Sequence, residues 1–356
     1  MSEPQFFIEN GYLELHLWVT YKCAVGCPHC YLKSMDTKSP DLTLTNYRIL
    51  LDQILDYRKN WEKLRVVIYG AEPQTLSPEY YHDLMSVTQL YFNNAEFSMY
   101  TSLQKLDDDW LSVFRRIKNN NGLSMTAVSY DGLMRGYEYN ERLFKNLEIL
   151  NKNGMRVGLM SVLNKTMLKQ GPKHYVDVLE QYKMASFSIK PFLPVKGQHD
   201  KWIEWATTMD EYSDFVIDIH KELKQRNLAK ISGMLTDVAH SDSISQSLGG
   251  WVIFVDGGLR CMYMGYENKE EYLQEFGCIS AGTTFTDIVN GDKRKNFLQQ
   301  QRYANFRQDC LVCEYAGKCL AEVYKDNYDD SSECIGAKRF IKWVDKEYGV
   351  LHDTKV

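Results

Sequence analysis

Three cysteines near the start of the chain have the type and spacing of a metal centre. Cys23, Cys27 and Cys30 directly follow an apolar run that predicts a strand. Three thiolates at this spacing can hold three of the four irons of a cubane built from iron and sulfide. The fourth iron would stay open, so it could bind a chelating small molecule and pass it an electron. The loop therefore predicts a redox catalytic centre.

A structural zinc site is the alternative for this loop. Zinc would need a fourth cysteine or histidine nearby, and His29 lies between two of the thiols, where it is poorly placed to close a tetrahedron. The other histidines are scattered and none falls into an HExxH pattern. His16, inside the first strand, is interpreted as a core or cavity histidine. No phosphate-binding glycine loop follows a strand.

The remaining six cysteines all lie in the last third of the chain. They are Cys261, Cys278, Cys310, Cys313, Cys319 and Cys334. The last four can ligate one complete iron–sulfur cluster. A zinc ribbon would be satisfied by the same number of thiols, so it stays open as an alternative. Clustered thiols of this kind are typical of a reducing compartment, in which disulfides are rare.

Six short apolar runs alternate with amphipathic helical stretches over the first two hundred residues. The runs are Tyr12 to Val19, Leu64 to Tyr69, Glu96 to Thr101, Ser124 to Tyr130, Arg156 to Leu163 and Ser186 to Phe192. This alternation predicts parallel strands joined by right-handed crossovers. Six units are fewer than the eight of a closed barrel, so we expect a partial (β/α)6 barrel of TIM type, with its site at the carboxyl ends of the strands.

The pattern changes after residue 195. Thr208 and Glu211 form a capping box that opens a bridging helix at about 208–226. From Gly249 the sequence WVIFV, DGG and LRCMY predicts a hairpin, followed by glycine-rich chain with most of the remaining cysteines. We therefore predict an α/β protein with a barrel unit at 1–230 and a cysteine-rich unit at 231–356.

Composition limits the classes of function. Apolar residues make up 44% of the chain and charged residues 25%, which excludes disordered and collagen-like proteins, and the net charge is only −5. Basic and acidic residues are interspersed, so no nucleic-acid surface is expected. No secretion signal and no membrane-length apolar run is found, so we expect a cytoplasmic protein without a membrane partner.

Four motifs resemble those of the radical S-adenosylmethionine (SAM) superfamily. The cysteine loop matches CxxxCxxC, with His29 at the aromatic position before the last cysteine. The turn after the second strand is similar to the GGEP segment, with Ala71 in place of its second glycine. The end of the fourth strand is similar to SxDG, and an arginine follows it. The residues that this resemblance assigns to the cofactor are His29, Gly70, Glu72, Pro73, Ser129 and Arg142.

The resemblance implies a six-unit partial barrel and a reaction. A [4Fe–4S] cluster held by Cys23, Cys27 and Cys30 would cleave SAM reductively, and the resulting 5'-deoxyadenosyl radical would abstract hydrogen from the substrate. The backbone of the second turn would receive the methionyl ammonium of SAM. Arg142 would clamp its carboxylate.

The carboxy-terminal cysteines resemble a shortened SPASM domain. The match implies an auxiliary [4Fe–4S] cluster on Cys310, Cys313, Cys319 and Cys334. The domain's next cysteine position is Val323 here, and its early cysteines are reduced to Cys261 and Cys278. These two could ligate a partial cluster, lie inert in the core, or return a hydrogen atom to a substrate radical.

The SPASM resemblance implies a peptide substrate. The expected reaction is crosslinking, epimerisation or oxidation of a residue in a ribosomally made peptide, with a reducing partner such as flavodoxin or ferredoxin. Precursor capture is expected at the barrel mouth or through another protein, since no leader-binding domain is expected before the first strand. A small-molecule radical SAM dehydrogenase or mutase is one alternative. A non-catalytic iron–sulfur or zinc protein is the other.

Overall fold

Among the described residues, nine strands form one sheet, and the first six run parallel. The computed structural model describes residues 12–30, 32, 39–57, 63–118, 124–192, 204–228, 230–231, 252–268, 271–297, 312–315, 331–334 and 336–349. The strands are β1 (Tyr12–Trp18), β2 (Lys63–Tyr69), β3 (Glu96–Thr101), β4 (Thr126–Ser129), β5 (Gly158–Leu163), β6 (Ser186–Pro191), β7 (Val252–Asp256), β8 (Arg260–Asn268) and β9 (Glu271–Cys278). Their order across the sheet is β6-β5-β4-β3-β2-β1-β7-β8-β9.

The six predicted strands are confirmed, each displaced by no more than two residues at either end. Strands β1 to β6 lie side by side in chain order, and each pairs in parallel with the next. Parallel neighbours need crossover connections, which helices provide here. The α/β architecture with a partial barrel of six units is therefore confirmed.

Eight helices are described besides short turns. They are α1 (Leu44–Asp56), α2 (Pro78–Tyr91), α3 (Asp108–Arg116), α4 (Tyr137–Lys152), α5 (Lys165–Gln181), α6 (Met209–Gln225), α7 (Phe285–Val289) and α8 (Lys338–Tyr348). Ser77 caps α2, with Pro78 in its first turn, and the Thr208–Glu211 capping box opens α6 as predicted. Within the described ranges, no helix has the length and apolar character needed to cross a bilayer.

The predicted hairpin joins the same sheet as the barrel strands. Strands β7 and β8 are antiparallel neighbours, as the sequence indicated. However, β7 also pairs in parallel with β1, with Leu17 opposite Val255. Strands β7, β8 and β9 therefore extend the barrel sheet instead of building a separate one. The boundary near residue 230 stays a prediction, since residues 232–251 lie outside the described ranges.

The two faces of β1 differ in chemistry. Leu13, Leu15 and Leu17 are fully buried and belong to the same apolar core as the buried residues of α1. Because strand side chains alternate, Glu14 and His16 point to the other face. We call this second face of the sheet the inner face. It carries polar and aromatic groups and ends at the edge where the cysteine loop begins.

His220 gives α6 a pH-dependent contact with α8. His220 is 6% exposed, and its ring stacks on Phe340, at 5.9 Å between centroids, and on Trp343, at 6.1 Å. Its Nε2 has no hydrogen-bond partner among the described residues. Burial lowers the pKa of His220 to about 4. The folded protein therefore excludes a proton that the unfolded chain binds.

We expect His220 to make the protein less stable in mild acid. The contribution of His220 to the free energy of unfolding is complete above its pKa in the unfolded chain, about 6.5. It is lost as the pH falls from there towards 4. Between pH 7.5 and 5.5 the loss should be about 1.4 kcal/mol. Urea unfolding of the wild type and of His220→Leu at both pH values checks this. Equal pH dependence in the two proteins would contradict it.

Candidate active site

The three amino-terminal cysteines form a loop at the carboxyl end of β1. Cys23 is exposed, whereas Cys27 and Cys30 are partly buried. The loop turns at Gly26, where φ is +67°, and the backbone N–H of Cys30 donates to the carbonyl of Cys27 at 3.2 Å. Parallel sheets of this type keep their chemistry at this edge. The thiols therefore lie where a barrel site is built.

The turn after β2 packs directly against the start of the cysteine loop. The N–H of Val19 donates to the carbonyl of Tyr69 at 3.1 Å, and the N–H of Ala71 donates to the carbonyl of Thr20 at 3.0 Å. Gly70 has a φ of +138°, and a Cβ there would lie 2.7 Å from the Thr20 carbonyl oxygen. Only glycine allows this approach. Gly70 therefore fixes the distance between the two motifs.

Gly70→Ala should destabilise the protein by about 2 kcal/mol or more, because the new methyl group meets backbone and the φ angle is unfavourable. Gly154→Ala is the matched control: it also has a positive φ, +71°, but no atom lies within 4 Å of its Cβ. We expect that variant to lose only about 1 kcal/mol. Urea unfolding measures both, and equal losses would refute the close approach at Gly70.

Glu72 and Pro73 hold the same turn from inside the protein. Oε1 of Glu72 accepts a hydrogen bond from the Thr101 hydroxyl at 2.7 Å, and Oε2 accepts one from the Ser102 N–H at 2.7 Å. The Pro73 carbonyl accepts from the Tyr81 hydroxyl at 2.6 Å. Glu72 is 5% exposed. Its carboxylate therefore ties the turn after β2 to the end of β3 and shapes the backbone predicted to meet SAM.

The end of β4 contacts the cysteine loop through Asp131. Its Oδ2 lies 3.1 Å from Nε2 of His29, and its Oδ1 accepts from the N–H of Val162 at 2.7 Å. His29 is 9% exposed at its side chain, and its Nδ1 has no partner among the described residues. Ser129 is partly buried just before this site. His29 of the cysteine loop therefore contacts Asp131 of the SxDG motif directly.

Arg135 is the arginine that reaches the cysteine loop. Its Nη1 lies 3.1 Å from Sγ of Cys27, and its Nε donates to Oδ2 of Asp131 at 2.5 Å. Arg142, to which the resemblance assigned the carboxylate clamp, is exposed on α4. It makes no hydrogen bond or ion pair within the described ranges. The turn at Gly132–Arg135 therefore supplies a cation to the loop that the sequence analysis did not identify.

The electrostatics of the loop fit a cubane. Burial raises the pKa of Cys27 to about 11, although Arg135 opposes this. Burial alone would raise the pKa of Asp131, but Arg135 and His29 hold it well below its usual range. A bound iron would provide the positive charge that deprotonates the thiols. Among the described residues no three metal-ligating side chains converge on one ion, whereas a cubane takes one thiolate at each of three separate irons.

A row of paired charges crosses the inner face below this edge. Arg65 lies 3.2 Å from Glu14 and 3.3 Å from Glu96 across neighbouring strands. His16 adds its Nε2 to Glu14 at 2.6 Å, while its Nδ1 is buried without a partner among the described residues. Phe254 packs against the His16 ring at 4.5 Å. The inner face thus presents polar groups and aromatic walls to whatever enters from the cysteine loop.

Two of the four proposed auxiliary ligands are described. Cys334 lies four residues before α8 begins at Lys338; burial raises its pKa, and the backbone amides of Gly336 and Lys338 oppose this. Lys338 is within electrostatic range of both Cys313 and Cys334. These two thiols therefore share one region of the protein. Cys310 and Cys319, like Val323, lie outside the described residues.

Cys261 and Cys278 lie on opposite faces of the sheet. Cys261 is fully buried and pairs with Val255, which places it on the same face as Leu17. Burial raises its pKa well above the ordinary value. This position does not favour hydrogen donation to a substrate on the inner face. Cys278 is exposed at the end of β9 and pairs with Arg260, on the face opposite Cys261.

Both the sequence and the fold resemble known proteins. A sequence profile of the radical SAM superfamily matches residues 19–181, whereas no curated protein matches the sequence significantly. The fold matches the solved structure "Native anSMEcpe with bound AdoMet and Cp18Cys peptide". The TM-score is 0.72 and the identity 13%, and the match covers 94% of this chain and 96% of that one.

The fold also matches Streptococcus suis SuiB bound to its precursor peptide SuiA. The TM-score is 0.58 and the identity 14%, with 86% of this chain and 70% of that one covered. At these identities the likeness shows the fold alone. The profile match includes the cysteine loop, the turn at Gly70 and Asp131, so it confirms the resemblance drawn from those motifs. Residues 19–181 of this chain are a radical SAM domain.

Proposed function

We propose that this protein is a radical SAM enzyme that modifies a residue within a ribosomally made peptide. The observation that carries the proposal is that the cysteine loop, the Gly70–Pro73 turn and the Asp131 site meet at one edge of the sheet. A cubane on Cys23, Cys27 and Cys30 would supply a docking iron for SAM and the electron that cleaves it. The resulting radical would abstract a hydrogen atom from the peptide.

The chain's own residues would hold the reactants in place. The backbone of Gly70 and Ala71, fixed against Thr20, would receive the methionyl ammonium of SAM, and Ser129 would contact the cofactor at the end of β4. The substrate side chain would lie over the inner face, whose aromatic walls exclude water. Nδ1 of His16, which has no partner among the residues that the structure describes, would be available there to a polar group. We propose that crosslinking, epimerisation or oxidation follows.

Two findings support a peptide as substrate. One structural neighbour was solved with a peptide and the other with its precursor peptide.

The shared region of Cys313 and Cys334 near Lys338 supports an auxiliary cluster completed by Cys310 and Cys319. Such a cluster would relay electrons or stabilise the fold. A flavodoxin or ferredoxin of the cytoplasm would supply the electrons. The unit at 231–356 would then carry this cluster.

Anaerobic reconstitution with iron and sulfide tests the proposal. We expect about eight irons per chain, since each cubane holds four, and release of 5'-deoxyadenosine from SAM under dithionite. Peptides encoded beside the gene should then change in mass. Bound zinc without SAM cleavage would refute the enzyme and favour a binding protein. SAM cleavage that modifies a small molecule but no such peptide would favour the dehydrogenase or mutase alternative.

A further inference from the structure

A buried guanidinium touches one of the three amino-terminal thiols. Nη1 of Arg135 lies 3.1 Å from Sγ of Cys27, within reach of an N–H···S hydrogen bond. The Arg135 side chain is 13% exposed, so bulk water does little to screen its charge. Cys23 is exposed and has the N–H of Val25 at 3.4 Å from its sulfur. Within the part of the chain that the structure describes, Cys27 is the one of these two thiols that receives a charged donor.

Asp131 and Tyr139 hold this guanidinium in place. Asp131, 1% exposed at its side chain, binds Nε of Arg135 while it also contacts His29 and the N–H of Val162. The Tyr139 ring lies 5.1 Å from the centre of the guanidinium. Because Asp131 contacts the loop through His29 as well, the same carboxylate aligns both the loop and its cation. Two side chains of the fold, Asp131 and Tyr139, therefore hold the donor to Cys27 in place.

We infer that Arg135 is a positioning residue that raises the reduction potential of the amino-terminal cluster. The inference rests on the proposed function, since it requires a cluster on Cys27. Reduction adds one electron and no proton to a cubane. A cationic donor at a ligating sulfur stabilises the reduced form over the oxidised form. Asp131 balances the charge of Arg135 at a distance, so the effect comes from the N–H group that points at sulfur.

The direction of the effect is fixed by this geometry. Removing the donor should make the cluster harder to reduce, so a given reductant should leave a smaller fraction of the cluster in its reduced form. We expect Arg135→Gln to shift the reduction equilibrium at least about tenfold, which is 59 mV for one electron. Arg115→Gln is the matched control, because Arg115 is exposed at the end of α3 and donates to Asn153. Its midpoint should equal that of the wild type.

The test uses the reconstituted full-length enzyme without SAM or peptide. The signal of the amino-terminal cluster in electron paramagnetic resonance is the one that is missing in Cys27→Ala. Following this signal in a redox titration gives the midpoint potential of that cluster. A more negative midpoint in Arg135→Gln, with the iron content unchanged, supports the inference. An unchanged midpoint overturns it. A wild type that binds iron and cleaves SAM separates this failure from a failure of the proposed function.

A second measurement covers the case in which Arg135→Gln loses its iron. Wild-type enzyme labelled with ¹⁵N in its arginine guanidinium groups should show a hyperfine coupling between arginine nitrogen and the reduced cluster. Arg115→Gln should retain that coupling. The inference is overturned if labelled wild type with full iron shows none, because a nitrogen 3.1 Å from a ligating sulfur must be detected.

Discussion

Cys27→Ala should abolish SAM cleavage. The variant is expected to lose about four irons per chain, one cubane's content, and to release 5'-deoxyadenosine only at background. The reason is that Cys27 would be one of the three thiolate ligands of this cubane, and Nη1 of Arg135 lies 3.1 Å from its sulfur. Two thiolates would leave the cubane without its third ligand. Iron analysis and chromatography of the nucleoside after dithionite reduction measure both effects.

Cys261→Ala is the contrasting variant. Cys261 is fully buried on the face shared with Leu17 and Val255, so its loss should affect packing and leave the amino-terminal cluster intact. We expect 5'-deoxyadenosine release at the wild-type level, at a cost of about 1 kcal/mol of stability. The interpretation of the amino-terminal loop would be wrong if Cys27→Ala kept full iron and full cleavage. Loss of cleavage in Cys261→Ala would contradict its assignment to the face that carries Leu17 and Val255.

The order of the barrel strands was predictable because each strand carries its own signal. Strands of a parallel sheet covered by helices are rich in apolar residues, and capped amphipathic helices separate them. Ser77 with Pro78, and Thr208 with Glu211, marked helix starts that the structure confirms. Local patterns of this kind depend only on near neighbours in the chain.

The pairing of β7 with β1 was not predictable from such patterns. The sequence indicates the hairpin of β7 and β8, because DGG is a turn signal. Nothing local indicates that Val255 lies beside Leu17, since the chain between them is more than two hundred residues long. That pairing depends on the edge of β1 left open by an incomplete barrel. It is a property of the assembled fold.

The candidate site also combines features that the sequence predicts with features that depend on the assembled fold. Cys23, Gly70, Glu72 and Asp131 stand at strand ends, and parallel strands bring their ends together. The sequence could not select the arginine near the loop, because Arg135 and Arg142 are both plausible by spacing. The turn at Gly132, with a φ of +61°, directs Arg135 inward, while α4 leaves Arg142 exposed. Only the i, i+4 spacing of Asp131 and Arg135 could have been a signal.

Asp131→Asn should be among the most destabilising single substitutions in the chain. Oδ1 accepts from the Val162 N–H, while Oδ2 binds Arg135 and His29. An amide has one oxygen, so its NH₂ group must face either the Val162 donor or the Arg135 and His29 donors. Arg135 would remain buried without its counter-charge. We expect a loss of about 3 kcal/mol in the free energy of unfolding.

Asp214→Asn is the matched control for this prediction. Asp214 also binds an arginine, Arg339 at 2.7 Å, but the two side chains are 57% and 41% exposed. Exposed pairs contribute less than about 1 kcal/mol because water screens them. Urea unfolding of the reduced apoprotein at neutral pH compares the two variants. Similar losses would mean that burial does not determine how much the Asp131–Arg135 pair contributes to the free energy of unfolding. The alignment of the loop could then not be attributed to the Asp131 carboxylate.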